Sequence, residues 1–209
     1  MFVKVCGLST PESVRAAVAA GADAVGFVLT PSPREVSPGQ ARTLLRDVPQ
    51  GIAAVGVFRH ESAEEAVAAA KTAGLEWIQL HGERTAADIR TAHDAGLKVI
   101  RAVTIGAPPA AFGNLGEDVI LVDAAVPGSG EAWDYASVKD RWAGAAGASE
   151  TVDASGRHWL LAGGLDAANV AAAAEAAGAW GVDVSSGVES SRGVKDLKKI
   201  SEFVAAAKK

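Results

Sequence analysis

Cys6 and Asp123 are the two side chains whose type and setting suit proton transfer at a bound substrate. Cys6 is the only cysteine and closes the apolar run Phe2-Val3-Lys4-Val5-Cys6 just before Gly7. Alternation along a strand sends Phe2, Lys4 and Cys6 to one face and Val3 and Val5 to the other. A thiol there is either a small buried hydrophobe or, as thiolate, a nucleophile or base. Asp123 ends a second apolar run, Val119-Ile120-Leu121-Val122. Burial against such neighbours raises a carboxyl pKa, as a general acid requires; the plainer reading is a cap on the loop that follows. One group donating a proton while the other removes one is the chemistry this pair suggests.

Other residues fit around it. Gly163-Gly164 and Ser185-Ser186-Gly187 end two late apolar runs. Glycine-rich strand ends with free N–H groups bind anions, so a phosphorylated ligand is expected there. Arg34, between Pro33 and Glu35 and with Pro31 nearby, lies on a loop stiffened by its prolines and suits bidentate capture of a carboxylate. His81, in Gln79-Leu80-His81-Gly82, is either a polar wall of the pocket or an imidazole satisfied by nearby backbone. Asp183 shares inward parity with Lys4, which predicts an ion pair between them and leaves Asp183 able to reach substrate hydroxyls.

Positioning these groups takes strands that all end at one rim. Short Val- and Ile-rich runs alternate with Ala-rich stretches of helical period, the signature of a parallel sheet. Strands are predicted near 2–6, 23–29, 52–58, 76–80, 98–103, 119–123, 158–162 and 180–185, with helices near 11–20, 38–47, 62–73, 85–95, 109–114, 135–143, 166–177 and 195–207. Eight βα units in 209 residues fit a single-domain (β/α)8 barrel spanning the whole chain. An open doubly wound sheet would carry GxGxxG after the first strand, where Cys6-Gly7-Leu8-Ser9-Thr10 stands instead. Such a barrel seats strand 6 across from strand 1, so Asp123 and Cys6 are expected to flank one substrate. Pro127-Gly128-Ser129-Gly130 reads as a flap over it, and the polar stretch 144–157 as an insertion on the far face.

Composition narrows the partners. The chain is 49% hydrophobic with net charge -5, which argues against nucleic acid or a membrane surface. A single cysteine excludes an internal disulfide, no apolar run is long enough to span a bilayer, and a cytoplasmic location is expected. The histidines lack zinc-site spacing, so no metal is expected.

Together Lys4-Val5-Cys6-Gly7-Leu8, Ser32-Pro33-Arg34, Val55-Gly56-Val57-Phe58, Gln79-Leu80-His81-Gly82, Leu121-Val122-Asp123, Gly163-Gly164-Leu165 and Val182-Asp183-Val184-Ser185-Ser186-Gly187-Val188-Glu189 resemble the phosphoribosylanthranilate isomerases of tryptophan biosynthesis, over nearly the whole chain. The resemblance implies an Amadori rearrangement of N-(5-phosphoribosyl)anthranilate without metal or cofactor, in a monomer or homodimer. It implies Asp123 as acid on the ring oxygen, Cys6 as base on the sugar carbon, Arg34 on the anthranilate carboxylate, and the backbone near Gly164 and Ser185 to Gly187 on the phosphate. The segment 124–130 and Trp133-Asp134-Tyr135 depart from the family pattern, which bears on loop closure. A histidine-pathway or dual-substrate isomerase carries aspartate where Cys6 stands; a silent phosphometabolite-binding barrel is the reading from another class.

Overall fold

Helix starts are written locally in this sequence. In the computed structural model, which describes residues 1–107, 115–124, 132–138 and 158–209, Thr10, Ser37, Ser62 and Thr85 each accept the N–H three residues on. Ser13, Gln40, Glu65 and Asp88 return a bond to the capping residue. These reciprocal bonds satisfy donors that a helix leaves orphaned. They open α1 (Pro11–Ala20), α2 (Pro38–Leu44), α3 (Ala63–Ala73) and α4 (Ala86–Asp94). Later come α5 (Val170–Ala177) and α6 (Leu197–Ala207), the second capped by the Asp196 carboxylate on Lys198 and Lys199 N–H.

The strands are β1 (Phe2–Cys6), β2 (Ala24–Val28), β3 (Ala53–Phe58), β4 (Trp77–Leu80), β5 (Lys98–Thr104), β6 (Val119–Asp123), β7 (Trp159–Leu161) and β8 (Gly181–Val184). All pair in parallel, and β8 pairs back to β1, closing the barrel. The expected (β/α)8 architecture is therefore present, each of the eight strands falling where the sequence placed it to within about two residues.

Alternation divides the side chains. Val3, Val5, Val25, Phe27, Ile78, Leu80, Val122 and Leu161 point outward and are buried with Val14, Ile89, Val170 and Phe203 of the helices. Each such side chain contributes roughly 1.5–3 kcal/mol of burial. Inside the barrel, Ala24, Val55, Ile100, Ala102, Leu121 and Leu160 form an apolar cluster. Below it Trp180 stacks on Phe2 (4.6 Å between ring centroids) and His158 (4.2 Å). With the N-terminal end filled by carbon, the polar interior side chains gather at the C-terminal ends of the strands.

Among the described residues some predicted helices differ, the one expected from 166 beginning at Val170. The stretch near 135–143 shows only a 3₁₀ turn over Tyr135–Ser137 within its described part, while the helix at 109–114, the flap and the insertion at 144–157 lie outside the described residues. The helix predicted from 195 begins at Leu197. Val194–Lys195 instead form β10, antiparallel to β9 (Glu189–Ser191), because the Asp196 cap fixes the helix start beyond them.

Candidate active site

Cys6 reaches the barrel interior because β2 yields space. A Cβ on Gly26 would stand 2.8 Å from Cys6 Sγ, so only glycine lets the neighbouring strand pass this close. The thiol packs against Val28 and Val57 and is 5% exposed. Burial pushes its pKa up, against the pull of Lys4 and Lys195, and Asp183 adds to the rise. A thiolate at neutral pH, the state a resting base would need, is thus disfavoured.

Lys4 is fully buried, with its Nζ donating to Asp183 Oδ1 at 2.7 Å. Burial opposes its charge, but Asp183 and the Cys6 thiol outweigh it and hold the ammonium protonated. The predicted ion pair is therefore formed, and it adjoins the thiol.

Asp123 is 8% exposed at the end of β6 and accepts the N–H of Ala124 on Oδ1 at 2.8 Å. It caps its own loop, and burial raises its pKa to about 6, with Asp183 adding repulsion. β6 lies three strands round from β1 by way of β8 and β7, one strand short of diametrically opposite, so the strands that carry Cys6 and Asp123 stand nearly across the barrel from each other, as expected. Lys4 stands on β1 with Cys6 and Asp183 on the adjacent β8, and both Cys6 and Asp123 feel the charges of this pair.

Asp123, Gly163, Gly164, Asp183, Ser185 and Ser186 line one cavity. The carbonyl of Gly163 accepts from the Tyr135 hydroxyl at 3.0 Å and that of Gly164 from Asn169 Nδ2 at 2.8 Å. Among the described residues no protein acceptor meets the N–H of either glycine, which leaves two donors for an anion. Trp133 Nε1 donates to Ala162 O at 3.1 Å, so the Trp133-Asp134-Tyr135 segment that departs from the family pattern buttresses the end of β7.

His81 is neutral. Burial, with Lys4, Arg59 and Arg84 around it, drops its pKa to about 3. Its Nε2 lies 2.8 Å from Gln79 Nε2, so a side-chain amide satisfies the ring, where the sequence left a pocket wall and nearby backbone both open. Arg34 is not an open fork: Nε donates to Glu189 Oε1 at 2.6 Å and Nη2 to Oε2 at 3.1 Å. Its stem lies against the turn after Cys6, where a Cβ on Gly7 (φ 74°) would meet Arg34 Cδ at 2.7 Å.

Three residues with no role assigned from sequence belong to this rim. Glu189 stands in the sequence only as the end of a motif and Lys195 as the first residue of a predicted helix; Lys195 Nζ bonds Glu189 Oε1 (2.9 Å) and Ser185 O (2.7 Å) with its side chain 2% exposed. Arg59 follows β3, and its charge reaches Asp123 and His81. Only the Arg-His pair ending Phe58-Arg59-His60 signalled it, and a loop arginine is ordinarily a solvated one.

A closed (β/α)8 barrel with a buried acid, a buried thiol and open amide donors at the C-terminal rim defines a barrel enzyme built for a small anionic metabolite. The family model for N-(5'-phosphoribosyl)anthranilate (PRA) isomerase matches residues 3–206. The N-(5'-phosphoribosyl)anthranilate isomerase of Streptococcus mutans is 39% identical over 99% of this chain and 98% of its own. Among solved structures, the Thermus thermophilus phosphoribosyl anthranilate isomerase superposes with a TM-score of 0.86 at 32% identity, covering 99% of this chain and 98% of that one. A phosphoribosyl anthranilate isomerase in complex with reduced 1-(o-carboxyphenylamino)-1-deoxyribulose 5-phosphate does so at 0.81 and 33%, covering 100% of this chain and 98% of that one. The chain belongs to the phosphoribosylanthranilate isomerase family.

Proposed function

We propose that this chain converts N-(5-phosphoribosyl)anthranilate into 1-(2-carboxyphenylamino)-1-deoxyribulose 5-phosphate, with Asp123 as general acid and Cys6 as general base. The observation that carries these roles is a raised-pKa carboxyl and a buried thiol that both feel the charges of the Lys4–Asp183 pair. The Asp123 proton goes to the furanose ring oxygen as the bond from that oxygen to C1 breaks, and the anilino nitrogen lone pair forms the C1 iminium. The Cys6 thiolate then takes the proton on C2, the electron pair moves into the C1–C2 bond, and the enolamine tautomerises to the C2 ketone. The cationic iminium favours the thiolate by the Coulomb effect that Lys4 already exerts, which offsets part of the burial penalty.

The remaining roles follow. The N–H groups of Gly163 and Gly164, with Ser185, Ser186 and Gly187, receive the phosphate. Asp183 uses Oδ1 for Lys4 and offers Oδ2 to a sugar hydroxyl. His81 contributes a neutral polar wall, and Arg34 holds the anthranilate carboxylate. The enzyme acts in the cytoplasm as a monomer or homodimer. The test is complementation of a tryptophan auxotroph lacking this isomerase. Growth is expected with the wild-type chain and not with Cys6→Ala; growth with both, or with neither, overturns the proposal. Assay on the aminoimidazole ribotide of the histidine pathway separates the nearest rival activity, against which Cys6 speaks.

A further inference from the structure

Glu189 takes no part in the proton transfers above, yet it is the most completely coordinated carboxylate at the rim. Oε1 accepts from Arg34 Nε (2.6 Å) and Lys195 Nζ (2.9 Å), and Oε2 from Arg34 Nη2 (3.1 Å) and Gly193 N (3.0 Å). Its side chain is 5% exposed and that of Arg34 11%. Four donors fix the carboxylate, and through two of them it fixes the plane of the guanidinium.

An arginine has five N–H donors. Two of those on Arg34 are spent on Glu189, and among the described residues no acceptor meets the others, both on Nη1 and one on Nη2. The stem crosses Gly7, the residue after Cys6, and Ser185 Oγ stands 3.1 Å from the position a Gly7 Cβ would occupy. The stem of Arg34 therefore lies at the rim that also carries the thiol and the phosphate loop. A loop arginine at such a rim would otherwise lose several rotatable bonds on meeting substrate; here that ordering is complete beforehand.

We infer that Glu189 is a positioning residue for substrate recognition: it holds Arg34 edge-on so that the open Nη1/Nη2 edge receives the anthranilate carboxylate, with Lys195 leaving the cluster one net positive charge that favours that anion. This rests on the reaction proposed above. It predicts a contribution confined to substrates bearing the ring carboxylate.

Kinetics of the full chain on N-(5-phosphoribosyl)anthranilate and on N-(5-phosphoribosyl)aniline, which lacks the carboxylate, test this. Glu189→Gln is expected to raise KM for the carboxylated substrate by about tenfold, the scale of one impaired charge-assisted hydrogen bond, with kcat and the KM for the aniline analogue changed less than about threefold. Because this substitution leaves two buried cations facing each other, the charge-balanced Glu189→Gln/Lys195→Met chain is measured beside it, and Glu189→Asp should restore part of the affinity. An equal loss on both substrates, or an unchanged KM, overturns the inference and makes Glu189 a clamp for the hairpin only. If instead the wild-type chain fails to turn over the carboxylated substrate, the reaction assignment itself falls.

Discussion

Burial raises the pKa of both Asp123 and Cys6, which suits the acid and opposes the base. With the Asp123 carboxyl near 6 and the thiol pushed up, the prevalent form at neutral pH is carboxylate plus thiol, while turnover needs carboxylic acid plus thiolate. The productive form is a minor tautomer of the same total protonation. The kcat/KM profile should therefore be a bell, falling below about pH 6 as both groups bind protons and falling again at alkaline pH as both lose them; an acidic limb that stays flat to pH 4 would refute the assignment. Asp123→Asn should lower kcat at least about a hundredfold. It should also stabilise the fold at pH 8. A raised folded-state pKa favours folding at low pH and loses that contribution between the ordinary value of 3.8 and about 6, so the buried carboxylate is a cost on the order of 2–3 kcal/mol above that window. Chemical denaturation of both chains at pH 8 and pH 4 checks this, with the gain expected at pH 8 alone.

At the scale of elements, the site depends on how closely neighbouring strands and loops approach. Gly26→Ala would place a methyl 2.8 Å from Cys6 Sγ and 3.1 Å from its Cα. Overpacking of this kind costs about 1–3 kcal/mol, and displacing the thiol should lower kcat by about tenfold or more while phosphate affinity stays near wild type; unchanged kcat would show that the thiol's placement is not critical. The β9–β10 hairpin is tied to the loop carrying Arg34 through Glu189. Although burial alone would raise that carboxyl, Arg34, Gly193 and Lys195 drop it to about 2. A depressed carboxyl contributes stability above its unfolded value and loses it as pH falls from about 4.5 towards 2. The protection of Gly193 N–H against hydrogen exchange, relative to its intrinsic rate at each pH, should fall in that window ahead of the barrel strands.

For the molecule as a whole, the seam is where the first strand meets the last. Lys4 and Asp183, separated by 179 positions in sequence, form a buried pair across β1 and β8. Removing one partner strands a charge in the interior and should cost about 3–5 kcal/mol, whereas removing both together should recover most of it. Equilibrium unfolding of Lys4→Met, Asp183→Leu and the double variant measures the coupling; purely additive losses would show that the pair does not stabilise closure. The double variant is expected to be folded and inactive, since Asp183 also lines the cavity.

The barrel was legible because its information is local and periodic. Alternating apolar runs, proline and hydroxyl caps and glycine stops fix each strand and helix within a few residues of chain, and repetition of the βα unit leaves few ways to bury the strands on both faces. The strand-end positions of Cys6, Asp123, Gly163-Gly164 and Ser185-Ser186 could be read in the same way, as could the Lys4–Asp183 pair, whose parity follows from closure. What sequence withheld was the partner of each charge and the balance of burial against it. Arg34 and Glu189 lie 155 positions apart, Lys195 fell inside a predicted helix, and the sense of the Cys6 shift depends on whether Val28 and Val57 outweigh Lys4. Those outcomes are set by distances and desolvation between segments remote in the chain, which exist only once the barrel has closed.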